Sequence, residues 1–139
     1  MLKSKYILIL AFMAGFAGGC SGPYHKPDDA TEAGRDFINA TLKADYKVAD
    51  DYIVKDPLNS KLFKRYKEWY NTLPDSEKDS YRKAAITIYN VNKDSDSTTI
   101  ITFSNTYKNE RRNLRMVKNK GEWWVDFANT FTDSLTSQQ

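Results

Sequence analysis

Near Ala84 the spacing of apolar residues changes, and this change limits the folds open to the chain more than any single motif does. Before it, apolar residues recur every three or four positions, the period that places them along one side of a helix. Ala33, Phe37, Ala40 and Ala44 follow that period, Ile38 and Leu42 widen the stripe, and Asp28 or Asp29 suits the helix start by accepting free backbone N–H groups. A second helix is expected over Asp45 to Ile53. Asp56-Pro57 ends it, because the residue before a proline is pushed out of the helical region. A third helix starts near Asn59, with Leu62, Phe63, Tyr66, Trp69 and Tyr70 on its apolar side, and Leu73-Pro74 closes it. Pro74-Asp75-Ser76-Glu77 then opens a fourth, running to about Lys83.

After Ala84 the period drops to two and β-branched and aromatic residues dominate, which is the pattern of strands. Four are expected: Ala85 to Asn92, Thr98 to Tyr107, Arg111 to Lys118 and Glu122 to Ala128. The turns between them, Asn92 to Ser97, Lys108-Asn109 and Asn119-Lys120-Gly121, are short and polar, so the strands form an antiparallel meander. Helices followed by a meander predict an α+β domain over residues 28–130, with the helices covering one face of a curved four-stranded sheet. Residues 131–139 read as a polar tail.

The first 19 residues have a different character. Lys3 and Lys5 give a positive start, Tyr6 to Phe16 an apolar run too short to span a bilayer, and Ala17-Gly18-Gly19 a small-residue exit. With Cys20 directly after it, that exit resembles the lipobox of bacterial lipoproteins, Ala17 standing where the pattern favours leucine. The resemblance implies a signal peptide over 1–19 and a lipid-modified Cys20 on a membrane. Two or three acyl chains anchor a protein for practical purposes permanently, where one binds marginally. Cys20 is the only cysteine, so no internal disulfide can form. Ser21, not an acidic residue, follows it, which points to the outer membrane in a cell that has two. Residues 20–27, with Gly22, Pro23 and Pro27, form a tether of about 20–25 Å when extended, which holds the domain near the bilayer.

Cleavage before Cys20 removes 19 of the 139 residues and leaves 120, enough for one domain with its own core. It also removes two of 21 basic residues, so 19 face 18 acidic ones and the mature chain is close to neutral. That balance gives no reason to expect nucleic acid as a partner.

Two segments carry a further resemblance: Phe37 and Leu42 with Ala44-Asp45-Tyr46 and Ala49 early, and Asn119-Lys120-Gly121-Glu122-Trp123-Trp124-Val125-Asp126 late. A short Asp-Tyr helix and a closing Gly-x-Trp-x-Val-Asp strand look like the cystatin-like or nuclear transport factor 2-like lipoproteins of bacteria. The resemblance covers about 100 residues, and its residues are those of turns and cores. It implies a sheet wrapped around the helices into a cone, whose interior holds a ligand, an active site or only packed side chains.

An enzyme of that superfold, of the ketosteroid isomerase or dehydratase type, needs a carboxylate or a His–Asp pair inside the cone. His25, the only histidine, lies in the tether, and Asp126 is the one acidic residue in an apolar setting. Alternation places Trp123, Val125 and Phe127 toward the helices and Asp126 outward, against a catalytic role. Trp69, Tyr89, Phe103 and Trp124 are candidate contacts for a small apolar or glycan ligand, since ring faces stack on both. Arg111, Arg112, Arg115 and Lys118 are candidate contacts for anionic head groups or an acidic envelope partner, with Arg111 and Arg115 on one strand face and Arg112 and Lys118 on the other. No residue set points to a cofactor or a metal. Binding is preferred to catalysis, and the alternatives are an enzyme of the superfold and a structural accessory of an envelope complex.

Overall fold

The computed structural model describes residues 25–130; the expected signal peptide, Cys20 and the tail 131–139 lie outside them. The chain folds as four helices, four strands and a last helical turn. These are α1 (Ala30–Leu42), α2 (Tyr46–Tyr52), α3 (Pro57–Thr72), α4 (Asp75–Lys83), β1 (Ile86–Ser95), β2 (Thr98–Asn105), β3 (Arg112–Asn119), β4 (Glu122–Val125) and α5 (Phe127–Thr130). The strands form one antiparallel sheet in the order β1-β2-β3-β4, so the α+β class and the meander stand as expected.

Aspartates start the first three helices. Asp29 accepts from Thr31 N and Glu32 N at 2.8 and 3.0 Å, Asp45 from Val48 N at 3.3 Å, and Asp56 from Asn59 N at 2.8 Å. Asp56-Pro57 was expected only to end α2. It also begins α3 two residues before the expected start, with proline in the first turn where its missing N–H costs nothing.

Between α1 and α2, Asp45 N donates to Ala40 O and Ala44 N to Thr41 O, the paired bonds of a helix stop that turns on a left-handed residue. That residue is Ala44, at φ 56°, where a Cβ crowds the backbone. Ala44→Gly is therefore expected to raise stability by about 1 kcal/mol, read as a higher urea midpoint at unchanged slope.

The sheet departs from expectation at three places. β1 continues three residues beyond Asn92 to Ser95, where Lys93 pairs with Thr99 and Ser95 with Thr98, and a bulge between Ile88 and Asn90 shifts the register and reverses which residues point to each face. Ile88 lies opposite Phe103 before the bulge and Val91 opposite Ile101 after it, so no single alternation runs along the strand. β2 stops at Asn105, whose Oδ1 accepts the N–H groups of Tyr107 and Lys108 and turns the chain away. β4 ends at Val125, and the residues expected to extend it to Ala128 form α5, capped by Asp126. The Asn119-Lys120-Gly121 turn is present, with Lys120 and Gly121 at φ 50° and 82°.

The helices cover one face of the sheet, and α1 touches all four strands. Ala33 and Phe37 of α1 are buried with Ile101, Leu114, Met116 and Val125 of the sheet. Behind α1, Phe63 of α3 is fully buried among rings, 5.3 Å from Phe127, 6.1 Å from Phe37 and 6.2 Å from Tyr46 between centroids. Asn59 joins α3 to α5: its Oδ1 accepts Ala128 N at 2.9 Å while its Nδ2 donates to Asp56 at 2.7 Å. Val54 N donates to Val125 O at 3.1 Å beside an Ile53–Val125 bridge, so the α2–α3 connection lies along the outer edge of β4.

The first described residues are also fastened to β4. The Lys26 ammonium lies 3.1 Å from the ring centre of Trp124 and 3.6 Å from Glu122, and Trp123 Nε1 donates to Asp28 O at 2.9 Å. Burial lowers the Lys26 pKa, with Glu122 pulling the other way.

Candidate functional site

At the end of the domain where α1 finishes, a cleft opens between α3, α4 and the sheet. Tyr66 and Trp69, one turn apart on α3, form one wall, Tyr81 of α4 a second, and Phe103 of β2 with Arg112 of β3 a third. Phe103 and Arg112 lie opposite each other in register and so share the helix-facing side. Lys108, from the β2–β3 loop, stands at the rim with its ammonium 4.7 Å from the Tyr107 ring centre and 6.0 Å from that of Tyr81.

The rings brace one another. Tyr81 meets Tyr107 edge-on at 4.8 Å, Tyr66 meets Trp69 at 5.6 Å, and Trp69 meets Tyr81 edge-on at 6.3 Å. Burial, followed by the neighbouring Tyr81 and Tyr70, pushes the Tyr66 phenol up to about 12. Burial also raises Tyr81. A phenol whose pKa is higher folded than unfolded contributes stability that is complete below the unfolded value, about 10, and lost as pH rises toward the folded one. Unfolding followed from pH 9 upward is expected to show stability falling between about pH 10 and 12, and Tyr66→Phe is expected to flatten that fall.

The cleft encloses about 70 Å³. That is room for about two waters, where pockets that enclose small molecules hold roughly 300–1,000 Å³. Its walls are aromatic and aliphatic with Thr41, Asn105, Lys108, Arg112 and Thr130 among the polar groups, and among the described residues no carboxylate lines it. A hollow of about 410 Å³ lies at the opposite end, where Asp28, Asp29, Lys93, Asp96 and Lys118 bring charges of both signs around Trp123.

Of the four aromatic candidates, the structure brings Trp69 and Phe103 together in the cleft and places the other two elsewhere. Tyr89 sits at the β1 bulge, 45 % exposed, its hydroxyl 3.0 Å from Ser104 Oγ and its ring under the Arg111 guanidinium at 4.1 Å. Trp124 lies beneath Lys26, and its buried indole N–H has no partner among the described residues.

The four basic candidates do not converge. Arg111 precedes β3 and covers Tyr89, while Arg112 reaches the cleft and pairs with Glu110 at 3.0 Å. Arg115 lies on the opposite sheet face, 3.5 Å from Asp126 in an ion pair without hydrogen-bond alignment, and Lys118 lies 5.5 Å from the Trp123 ring in the far hollow. Asp126 accepts from Asn129 Nδ2 at 2.7 Å and caps α5, outside both openings.

Tyr66, Tyr81 and Lys108 complete the lining, with Tyr107 packed on Tyr81, and only the three-residue step from Tyr66 to Trp69 signals the site locally in the sequence. The rest depends on α4 and the β2–β3 loop meeting α3 across the fold. No known protein family, no curated protein and no solved structure matches the chain.

Proposed function

We propose that the protein is a lipid-anchored envelope protein whose domain, of the nuclear transport factor 2-like or cystatin-like cone type, acts by binding through the cleft at its wide end. The observation that carries this reading is the cleft itself: about 70 Å³ walled by aromatic rings, with Lys108 and Arg112 as its charges and no carboxylate among the described residues. A base-catalysed reaction in such a cone needs a carboxylate facing the substrate, and Asp126 caps α5 instead. The space suits the apolar tip of a larger molecule, and the two cations favour an anionic group beside that tip. Anchoring rests on Cys20 after Ala17-Gly18-Gly19, and a short tether keeps the domain close to envelope amphiphiles of that description.

Two measurements test the two parts. Radiolabelled palmitate fed to expressing cells is expected to label the chain and not the Cys20→Ala variant; an unlabelled wild-type chain would remove the anchoring. Dodecanoate, kept below micelle-forming concentration, is expected to shift tryptophan emission to the blue, with the response lost in Trp69→Phe and weakened in Lys108→Glu. A flat titration would remove an acyl-tipped anion as the ligand.

A further inference from the structure

α3 has an outer face that the other described residues leave uncovered. Leu58, Leu62, Arg65 and Trp69 follow one another at four, three and four residues, which places them in one row along the helix. Leu58 and Trp69 are 58 % and 46 % exposed, and Leu62 is half-buried between them. The core side of the same helix is separate and already filled by Asn59, Phe63 and Tyr70. Single exposed apolar residues are common on protein surfaces, but a row at helical spacing is not scatter. The row and its flank are basic: Arg65 within it and Lys61 beside it are exposed, while Lys64 lies 3.8 Å from Glu68, the one acid of the helix.

We propose that this face docks on an anionic membrane surface, with Leu58, Leu62 and Trp69 entering the headgroup boundary and Lys61 and Arg65 meeting lipid phosphates. Apolar residues with tryptophan on one side and lysine or arginine beside them are what an interfacial helix requires, and the charge is complementary to acidic headgroups. The point where the chain leaves the domain agrees. Lys26 is fixed on Trp124 and lies 5.7 Å from the Tyr52 ring centre at the end of α2, and α3 begins five residues after Tyr52. The residues from Cys20 to His25 span about 20 Å at full extension, which brings a bilayer holding Cys20 within reach of the Leu58 end of α3. Trp69 belongs both to this row and to the cleft, so docking presents the cleft to the lipid surface. The orientation argument rests on the anchoring proposed above; the helix face itself does not.

The test uses the full-length chain purified from membranes and reconstituted into vesicles of phosphatidylglycerol and phosphatidylcholine with brominated acyl chains. Bromine is expected to quench tryptophan emission, and Trp69→Phe to remove most of the quenchable part, since Trp123 is buried and Trp124 lies under Lys26. Lys61→Ala and Arg65→Ala are each expected to weaken docking about five-fold, as does loss of one basic contact to an acidic surface. Leu58→Gln, at an exposed position that leaves the core intact, should weaken it as well. Equal quenching in the wild type and Trp69→Phe overturns the proposal. So does protection of Trp69 from aqueous iodide without quenching by bromine, which assigns the face to a polypeptide. Palmitate labelling is scored separately: an unlabelled chain whose Trp69 is still quenched removes the anchoring and keeps the docking face, and a labelled chain without quenching does the reverse.

Discussion

Phe63→Ala is expected to cost about 3–5 kcal/mol, a large part of the roughly 5–15 kcal/mol that holds a domain of this size together. Phe63 is fully buried, and its ring contacts Phe37, Tyr46, Tyr66 and Phe127, so truncation removes apolar burial and several edge contacts at once. The walls of the resulting space belong to α1, α2, α3 and α5, and four elements do not collapse together to fill it. Urea unfolding is the measurement: the midpoint should drop sharply with the slope unchanged, while Phe63→Leu should cost less than about 1.5 kcal/mol. A drop as small for alanine as for leucine would mean that the aromatic cluster is not the centre of the core.

The second large effect comes from adding atoms. At Gly34 on α1, a Cβ would lie 2.5 Å from Ile101 Cδ1 and 3.2 Å from Leu114 Cδ2. These are side-chain ends, fully buried with Met116 and Val125, so relieving the contact means repacking buried neighbours. Alanine there gains about 1 kcal/mol of helix propensity over glycine and loses more to the contact, for a net cost of about 1–2 kcal/mol. Gly34→Leu is expected to cost about 3 kcal/mol or more by lifting α1 from the sheet. Thermal unfolding by circular dichroism orders the three chains; a leucine variant as stable as the wild type would show that α1 does not cross β2 and β3 this closely.

Gly34 also shows where the sequence stops being legible. A glycine inside a helical pattern signals weakness, and only the partner strands show that it is the point of nearest approach. α1 could be read because its cap is local, an aspartate two or three residues before the N–H groups it accepts, while the equally local cap at Asp56 was taken only as the end of α2. The turn at Lys120-Gly121 could be read for the same reason. β1 was misjudged because the bulge at Tyr89 changes the phase of the strand, so Val91 and Lys93 follow a rule that Ile86 and Ile88 do not. β4 was drawn too long because Phe127 is buried in either conformation; what ends the strand is Asp126 reaching Asn129, a cap hidden inside an apolar run.

The site was half legible for a related reason. Trp69 and Phe103 were named as aromatic and distant in sequence, and the fold brings them together. Tyr89 and Trp124 had the same chemistry on paper and are taken up by single neighbours, Arg111 and Lys26. Composition identifies residues able to bind, and the packing of α4 and the β2–β3 loop decides which still can.

The two edges of the sheet are closed by different means, and the contrast bears on solubility. β4 is occupied along its rim by Ile53 and Val54, which take Val125 as their partner. β1 has no such cover from another strand, but its register breaks twice, near Tyr89 and near Asp94. A second molecule laid along β1 would find matching N–H and C=O groups only over a few residues before the spacing failed. The irregularity that hides β1 from a reader of the sequence thus also makes it a poor template for other copies of the chain. Straightening β1 by removing its bulge residue is expected to open that route and turn the domain toward fibrils.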